Sequence, residues 1–111
     1  MGDGQHVWAA AEWILMIRNC FVREEQDRLI LCSGVLPEWY DRDKKASFGK
    51  APVPQGVISI ELSHEGLGVR VSWNAQWRGK APKIEIRLPG YAAEDVKNRE
   101  TTVLLLKERH A

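Results

Sequence analysis

Val57-Ile58-Ser59-Ile60-Glu61-Leu62-Ser63 sets Ile58, Ile60 and Leu62 on one side of an extended chain and Ser59, Glu61 and Ser63 on the other. That period of two marks a half-buried strand. Glu65-Gly66-Leu67-Gly68 follows as a turn, and Val69, Val71 and Trp73 resume the same period. Moving outward, Arg78-Gly79-Lys80-Ala81-Pro82 is the next turn, and Ile84, Ile86 and Leu88 alternate with Lys83, Glu85 and Arg87. These three strands are expected to form an antiparallel meander. Pro89-Gly90 ends it, Ala92 to Asn98 reads as a short helical turn, and Thr101 to Leu106 is a β-branched and leucine-rich closing strand.

Toward the N-terminus, Cys20-Phe21-Val22-Arg23 and Arg28-Leu29-Ile30-Leu31-Cys32 read as two strands about the polar turn Glu24-Glu25-Gln26-Asp27. Both are apolar on both faces and are expected to be buried. Gly34 to Tyr40 breaks the pattern, and Asp41 to Lys45 is a charged, exposed connector. About six or seven short strands, with turn signals every 8–12 residues or so, predict a mainly β protein built as an antiparallel β-sandwich rather than from βαβ units. A chain of 111 residues suits a single domain, with the sandwich over 20–111 and one N-terminal helix over 5–19.

That helix is the anomaly. In Val7-Trp8-Ala9-Ala10-Ala11-Glu12-Trp13-Ile14-Leu15-Met16-Ile17, Trp8, Leu15 and Met16 flank the lone Glu12, while Ala10, Trp13, Ile14 and Ile17 take the far side. No polar stripe is left for water. A partner of fewer than a hundred residues covers one flank of such a helix, and each large side chain left exposed forfeits roughly 1.5–3 kcal/mol. Trp8, Trp13, Leu15 and Met16 are therefore expected to form an interface. Glu12 interrupts the run, which is shorter than the roughly 20 residues a bilayer requires, so no membrane partner is expected.

Lys and Arg total 16 against 15 Asp and Glu, with the signs interleaved, so nucleic acid is not an expected partner either. Hydrophobic content of 44% beside 28% charged residues suits a globular protein. Asp3 near the start and the lack of a small-residue cleavage pattern argue against a signal peptide, and the compartment stays open. A three-residue loop Glu25-Gln26-Asp27 would set Cys20 opposite Cys32, although reduced thiols are expected.

Catalytic chemistry finds little footing. Gly66-Leu67-Gly68 lies in a hairpin turn and is too short to cradle phosphate, and His64-Glu65 lacks the second His of a helical zinc motif. His6, His64 and His110 fall near the ends or in a turn, away from any nucleophile. Pairs such as Glu24 with Glu25 or Glu38 with Asp41 read as solvated turn charges, since a glycosidase needs its carboxylates on either side of a sugar cleft. No catalytic residue, metal or cofactor is assigned. The five Trp stand out, because an indole face suits the C–H face of a pyranose. Trp39, Tyr40 and Trp77 are the candidate sugar contacts, whereas Trp73 shares the inward phase of Val69 and Val71 and is expected in the core.

The run His6 to Leu15, then Ile17-Arg18-Asn19-Cys20-Phe21-Val22-Arg23-Glu24-Glu25, Leu29-Ile30-Leu31 and Gly34-Val35-Leu36-Pro37-Glu38-Trp39-Tyr40 resembles the C-terminal end of (α/α)6-barrel glycoside hydrolases. In that family a last barrel helix passes into a hairpin with an acidic turn, a Gly-x-x-Pro-x-Trp loop and a terminal antiparallel β-domain packed on the barrel. Ser47-Phe48-Gly49 and Leu88-Pro89 resemble later signposts of that domain, while the stretch from Trp39 to Phe48 is shorter than the pattern. The resemblance implies a non-catalytic accessory domain in carbohydrate metabolism, with an (α/α)6 barrel as partner. It carries over no catalytic residue, because the barrel and its acids are absent. Two other readings follow from the residues: a carbohydrate-binding module using exposed Trp, and a stand-alone protein that self-associates through its helix.

Overall fold

The computed structural model describes residues 3–41, 43–97 and 100–106, with side chains from residue 12 onward. Helix α1 (Asp3–Phe21) leads into β1 (Val22–Glu25) and β2 (Arg28–Leu31), and a 3-10 turn (Pro37–Trp39) follows. Then come β3 (Lys45–Val53), β4 (Gly56–Glu65), β5 (Gly68–Trp77), β6 (Lys83–Ile86), β7 (Glu94–Asp95) and β8 (Thr102–Leu106). The strands make two four-stranded sheets, β1-β2-β6-β7 and β3-β4-β5-β8. The protein is thus mainly β, a sandwich-like pair of sheets behind one N-terminal helix, with eight strands among the described residues rather than six or seven.

The β4–β5 hairpin is paired without a break from Glu65↔Gly68 to Gly56↔Trp77, and its inward set is the one its alternation predicts. Ile58, Ile60, Leu62, Val69 and Val71 are fully buried, and Trp73 joins them. The Gln55-Gly56 corner requires glycine: Gly56 sits at φ +154°, and a Cβ there would strike the carbonyl oxygen of Gln76.

Strand β3 starts at the last residue of the expected connector Asp41 to Lys45 and runs through a stretch to which the alternation assigns no strand. Ala46 and Phe48 pair with Leu62 and Ile60, but after a bulge the partners become Ala51 with Ile58 and Val53 with Gly56. One irregularity switches the inward positions from even to odd numbers, so no period of two survives across Lys45–Val53. Ala46, Ala51 and Val53 are nonetheless buried.

The predicted three-stranded meander also changes. Strand β6 leaves β5 and pairs parallel to β2, from Arg28↔Lys83 to Leu31↔Ile86, and β8 takes the vacant side of β5. The turn at Gly79, with φ +145°, and Pro82 carry the chain from one sheet to the other. The helical turn expected at 92–98 is instead the short strand β7, hydrogen-bonded to β6, with the Val96 N–H donating to the Ile84 carbonyl at 2.9 Å. Asn98 lies outside the described residues.

Charged partners accompany the pairing of β6 with β2. Alternation puts Leu29, Leu31, Ile84 and Ile86 on the core side and sends Arg28, Ile30, Glu85 and Arg87 outward. Glu85 accepts from Arg28 at 2.9 Å and from Arg87, while Arg87 also reaches Glu25 at 3.2 Å and Arg23 reaches it at 2.7 Å. These guanidinium partners hold the Glu85 and Glu25 carboxyls below their ordinary pKa. Ile30 is fully buried outside the main core, and the charged ladder flanks it on its own face. The β1–β2 hairpin is therefore not apolar on both faces: Val22, Leu29 and Leu31 turn to the core with Glu24 at the open end of that face, and Ile30 sits among charges on the other.

The hairpin register corrects the cysteine geometry as well. The turn is the two residues Gln26-Asp27, with Gln26 at φ 58°, so Val22 pairs with Leu31. Cys32 consequently faces Phe21, whose carbonyl accepts from its N–H at 2.8 Å, and Cys20 and Cys32 are both free.

Candidate functional site

Two features of this frame can meet another molecule: the free part of α1, and a cleft where the sheets part. Among the described side chains, those that anchor the helix lie at its C-terminal end. Phe21 is buried between two rings, with Trp39 stacked at 5.8 Å and Phe48 at 5.6 Å between centroids. Arg18 ties the last turn to both sheets, donating to Glu24 at 2.8 Å and to the Pro52 carbonyl at 2.7 Å. Ile17 and Cys20 also pack on the core.

One turn earlier that packing is gone. Trp13 is 61% exposed, Ile14 57%, Leu15 58% and Met16 61%. Trp13 and Ile14 fall on the same side of the helix as Ile17 and Phe21, since each step of three or four residues brings a side chain back to one face. Their exposure means that the sandwich ends before the helix does. The radius of gyration agrees: 15.2 Å against about 13 Å for a compact chain of this length, with a longest dimension of 57 Å. Trp13, Leu15 and Met16, expected at an interface, thus stand in solvent in the isolated chain, and the side chain of Trp8 lies outside the described residues.

The second feature is a cleft of about 750 Å³ between the end of β5, the start of β6 and the residues Asp95, Val96, Lys97, Glu100 and Thr101. The Thr101 carbonyl accepts from the Trp73 N–H at 2.9 Å. Trp77 and Trp73 form the apolar wall with Ala75, Pro82 and Ile84. Arg28, Lys80, Lys83 and Lys97 bring positive charge, and Glu85, Asp95 and Glu100 negative charge.

The candidate sugar contacts separate sharply. Tyr40 is 2% exposed and belongs to the core, where burial pushes its phenol up to about 12, so its ring offers no face to a ligand. Trp39 is half-buried and stacked on Phe21, as part of the anchor of α1. Trp77 alone of the three lines the cleft, beside Trp73, whose burial matches its inward phase. The lysines of the cleft carry no motif in sequence; they converge only because β6 changes sheets.

Among the described residues, no group of three or more His, Cys, Asp and Glu is placed to hold a metal ion. No described helix is long and apolar enough to cross a membrane. No family model matches this chain, no curated protein matches it, and no solved structure matches it.

Proposed function

We propose that this chain is a non-catalytic accessory β-sandwich that docks through α1 into a layer of helices, the role its resemblance to the end of an (α/α)6-barrel glycoside hydrolase implies. The observation that carries the reading is the exposure of Trp13, Ile14, Leu15 and Met16 in succession. Four consecutive residues at about 100° each go most of the way round a helix. A contact between two helices covers a single stripe, so burying all four takes neighbours on at least two sides. The wall of a helical barrel supplies that arrangement; one symmetric helix pair leaves part of the set wet.

The reading also accounts for the rigid root of the helix. The Trp39, Phe21 and Phe48 stack and the two Arg18 contacts fix the angle at which α1 leaves the sandwich. A domain that positions itself on a neighbour needs such a fixed angle, whereas a tether does not.

Light scattering at micromolar concentration is the direct test. The isolated chain is expected to associate, and the pair Leu15→Glu with Met16→Glu to render it monomeric with its β-sheet circular dichroism unchanged. A wild-type chain that stays monomeric with α1 protected from hydrogen exchange would remove the basis for a missing neighbour. Discrete dimers that protect all four residues would favour self-association over a barrel. The reading frame immediately upstream adds an independent check, since the proposal expects it to encode helical hairpins. Aryl glycosides are expected to show no turnover, because the resemblance carries over no general acid paired with a base or nucleophile.

A further inference from the structure

We propose that the cleft walled by Trp77 and Trp73 binds a sugar that carries a carboxylate, such as one residue of a polyuronate chain. This inference is independent of what α1 docks on. The cleft lies between the sheets, and its volume of about 750 Å³ falls within the range of small-molecule sites.

Its apolar wall matches one side of a pyranose. Trp73 is buried and fixed by the core, and Trp77 is half-buried, packed on the same core while still lining the cleft. An indole held in this way presents a flat face at little entropic cost, and the C–H face of a pyranose stacks on such a surface.

Charge then selects the class of sugar. Of the acids on the wall, Glu85 is paired with Arg28 and Arg87, which leaves Asp95 and Glu100, the latter accepting from the Lys97 backbone N–H at 3.0 Å. Against them stand Lys80, Lys83 and Lys97, exposed and without an ion pair among the described residues. Lysine ammonium groups at the rim of a partly desolvated cleft attract a carboxylate, whereas a neutral sugar offers them hydroxyl acceptors but no opposite charge.

Heteronuclear NMR titration of the intact chain tests this. Trigalacturonate and trimannuronate are the acidic probes, and galactotriose and mannotriose are their uncharged counterparts. At least one acidic trimer is expected to shift the Trp77 indole N–H resonance, with affinity falling as salt is raised. Lys83→Gln combined with Lys97→Gln should weaken binding about tenfold while leaving the spectrum of the free protein intact, since both side chains are exposed. Trp77→Ala should abolish the binding. Neutral trimers that bind as tightly as the acidic ones would overturn the assignment of class. Acidic trimers that leave the Trp77 indole unmoved, or whose binding survives both lysine substitutions, would overturn the site.

Discussion

Trp13 and Trp73 are the same residue type under opposite regimes. Trp73 is set by the strongest local signal in the chain, a hairpin with unbroken pairing and one buried face, and it is 7% exposed. Trp13 belongs to the most apolar segment in the chain and is 61% exposed. The contrast shows that hydrophobicity fixes burial only where the chain also supplies the opposing surface. The sandwich closes on itself; the free part of α1 has its apolar side chains and no wall to set them against.

The sharpest way to break the comparison is to truncate both rings. Trp73→Ala should cost roughly 3–5 kcal/mol in denaturant unfolding, because the core cannot collapse around so large a cavity. Trp13→Ala should leave the midpoint almost unchanged while reducing association. Trp77→Ala should fall between them, as its half-buried position implies. A near-neutral Trp73→Ala would mean that the hairpin does not hold the core.

Gly56→Ala probes the backbone of the same hairpin. It forces a side chain into a left-handed conformation and against the Gln76 carbonyl, at a cost of about 1–3 kcal/mol from conformational strain, with the clash added. Gly66→Ala, at φ +61° with open space around it, should be milder.

Acid should weaken the charged sheet first where its carboxylates are paired. Glu25 and Glu85 have folded pKa values below the ordinary 4.5, so their contribution is present above that pH and is lost as pH falls through the depressed values. Glu85→Gln should flatten that acid slope in a urea-midpoint series. A slope unchanged by the substitution would place the acid sensitivity elsewhere, for instance at the Glu65–Arg70 pair.

The last test is chemical. Burial pushes the Cys32 thiol up to about 12, so the folded protein keeps it neutral while an unfolded chain ionises it from about 9.0. Its contribution is therefore full below pH 9.0 and fades as pH rises toward 12. Alkylation under native conditions should mark Cys20, which is only partly buried, and spare Cys32. Equal labelling of the two would mean that the hairpin root opens.

How much of this was legible in the sequence depends on how far apart the deciding residues lie. The β4–β5 hairpin, the burial of Trp73 and the unpartnered helix are local facts, written in alternation and in an apolar run. Strand β3 hid because a bulge between Phe48 and Ala51 changes the parity of its inward positions. The route of β6 hid because the alternation of Ile84, Ile86 and Leu88 fits either sheet, and its partners in β2 lie about half the chain away. The cleft was invisible for the same reason. Trp77 could be singled out as an aromatic near a turn, but the lysines around it converge only through the sheet change. Tyr40 shows the reverse error, an aromatic in a loop-like stretch that the fold draws into the core.

The parallel pairing of β2 with β6 sets an order of events during synthesis. An N-terminal hairpin that needs a strand beyond Lys83 cannot complete its sheet while the intervening residues are still being made. Contacts this distant in sequence slow folding, since the loop must close before the pairing returns anything. The β3–β4–β5 ribbon, built from neighbouring strands, is able to form first and wait. Through that interval the β1–β2 hairpin stays incomplete, exposing Leu29 and Leu31 to other nascent chains. Aggregation of this protein is therefore expected to be decided by translation speed between β2 and β6 more than by the equilibrium stability of the finished sandwich.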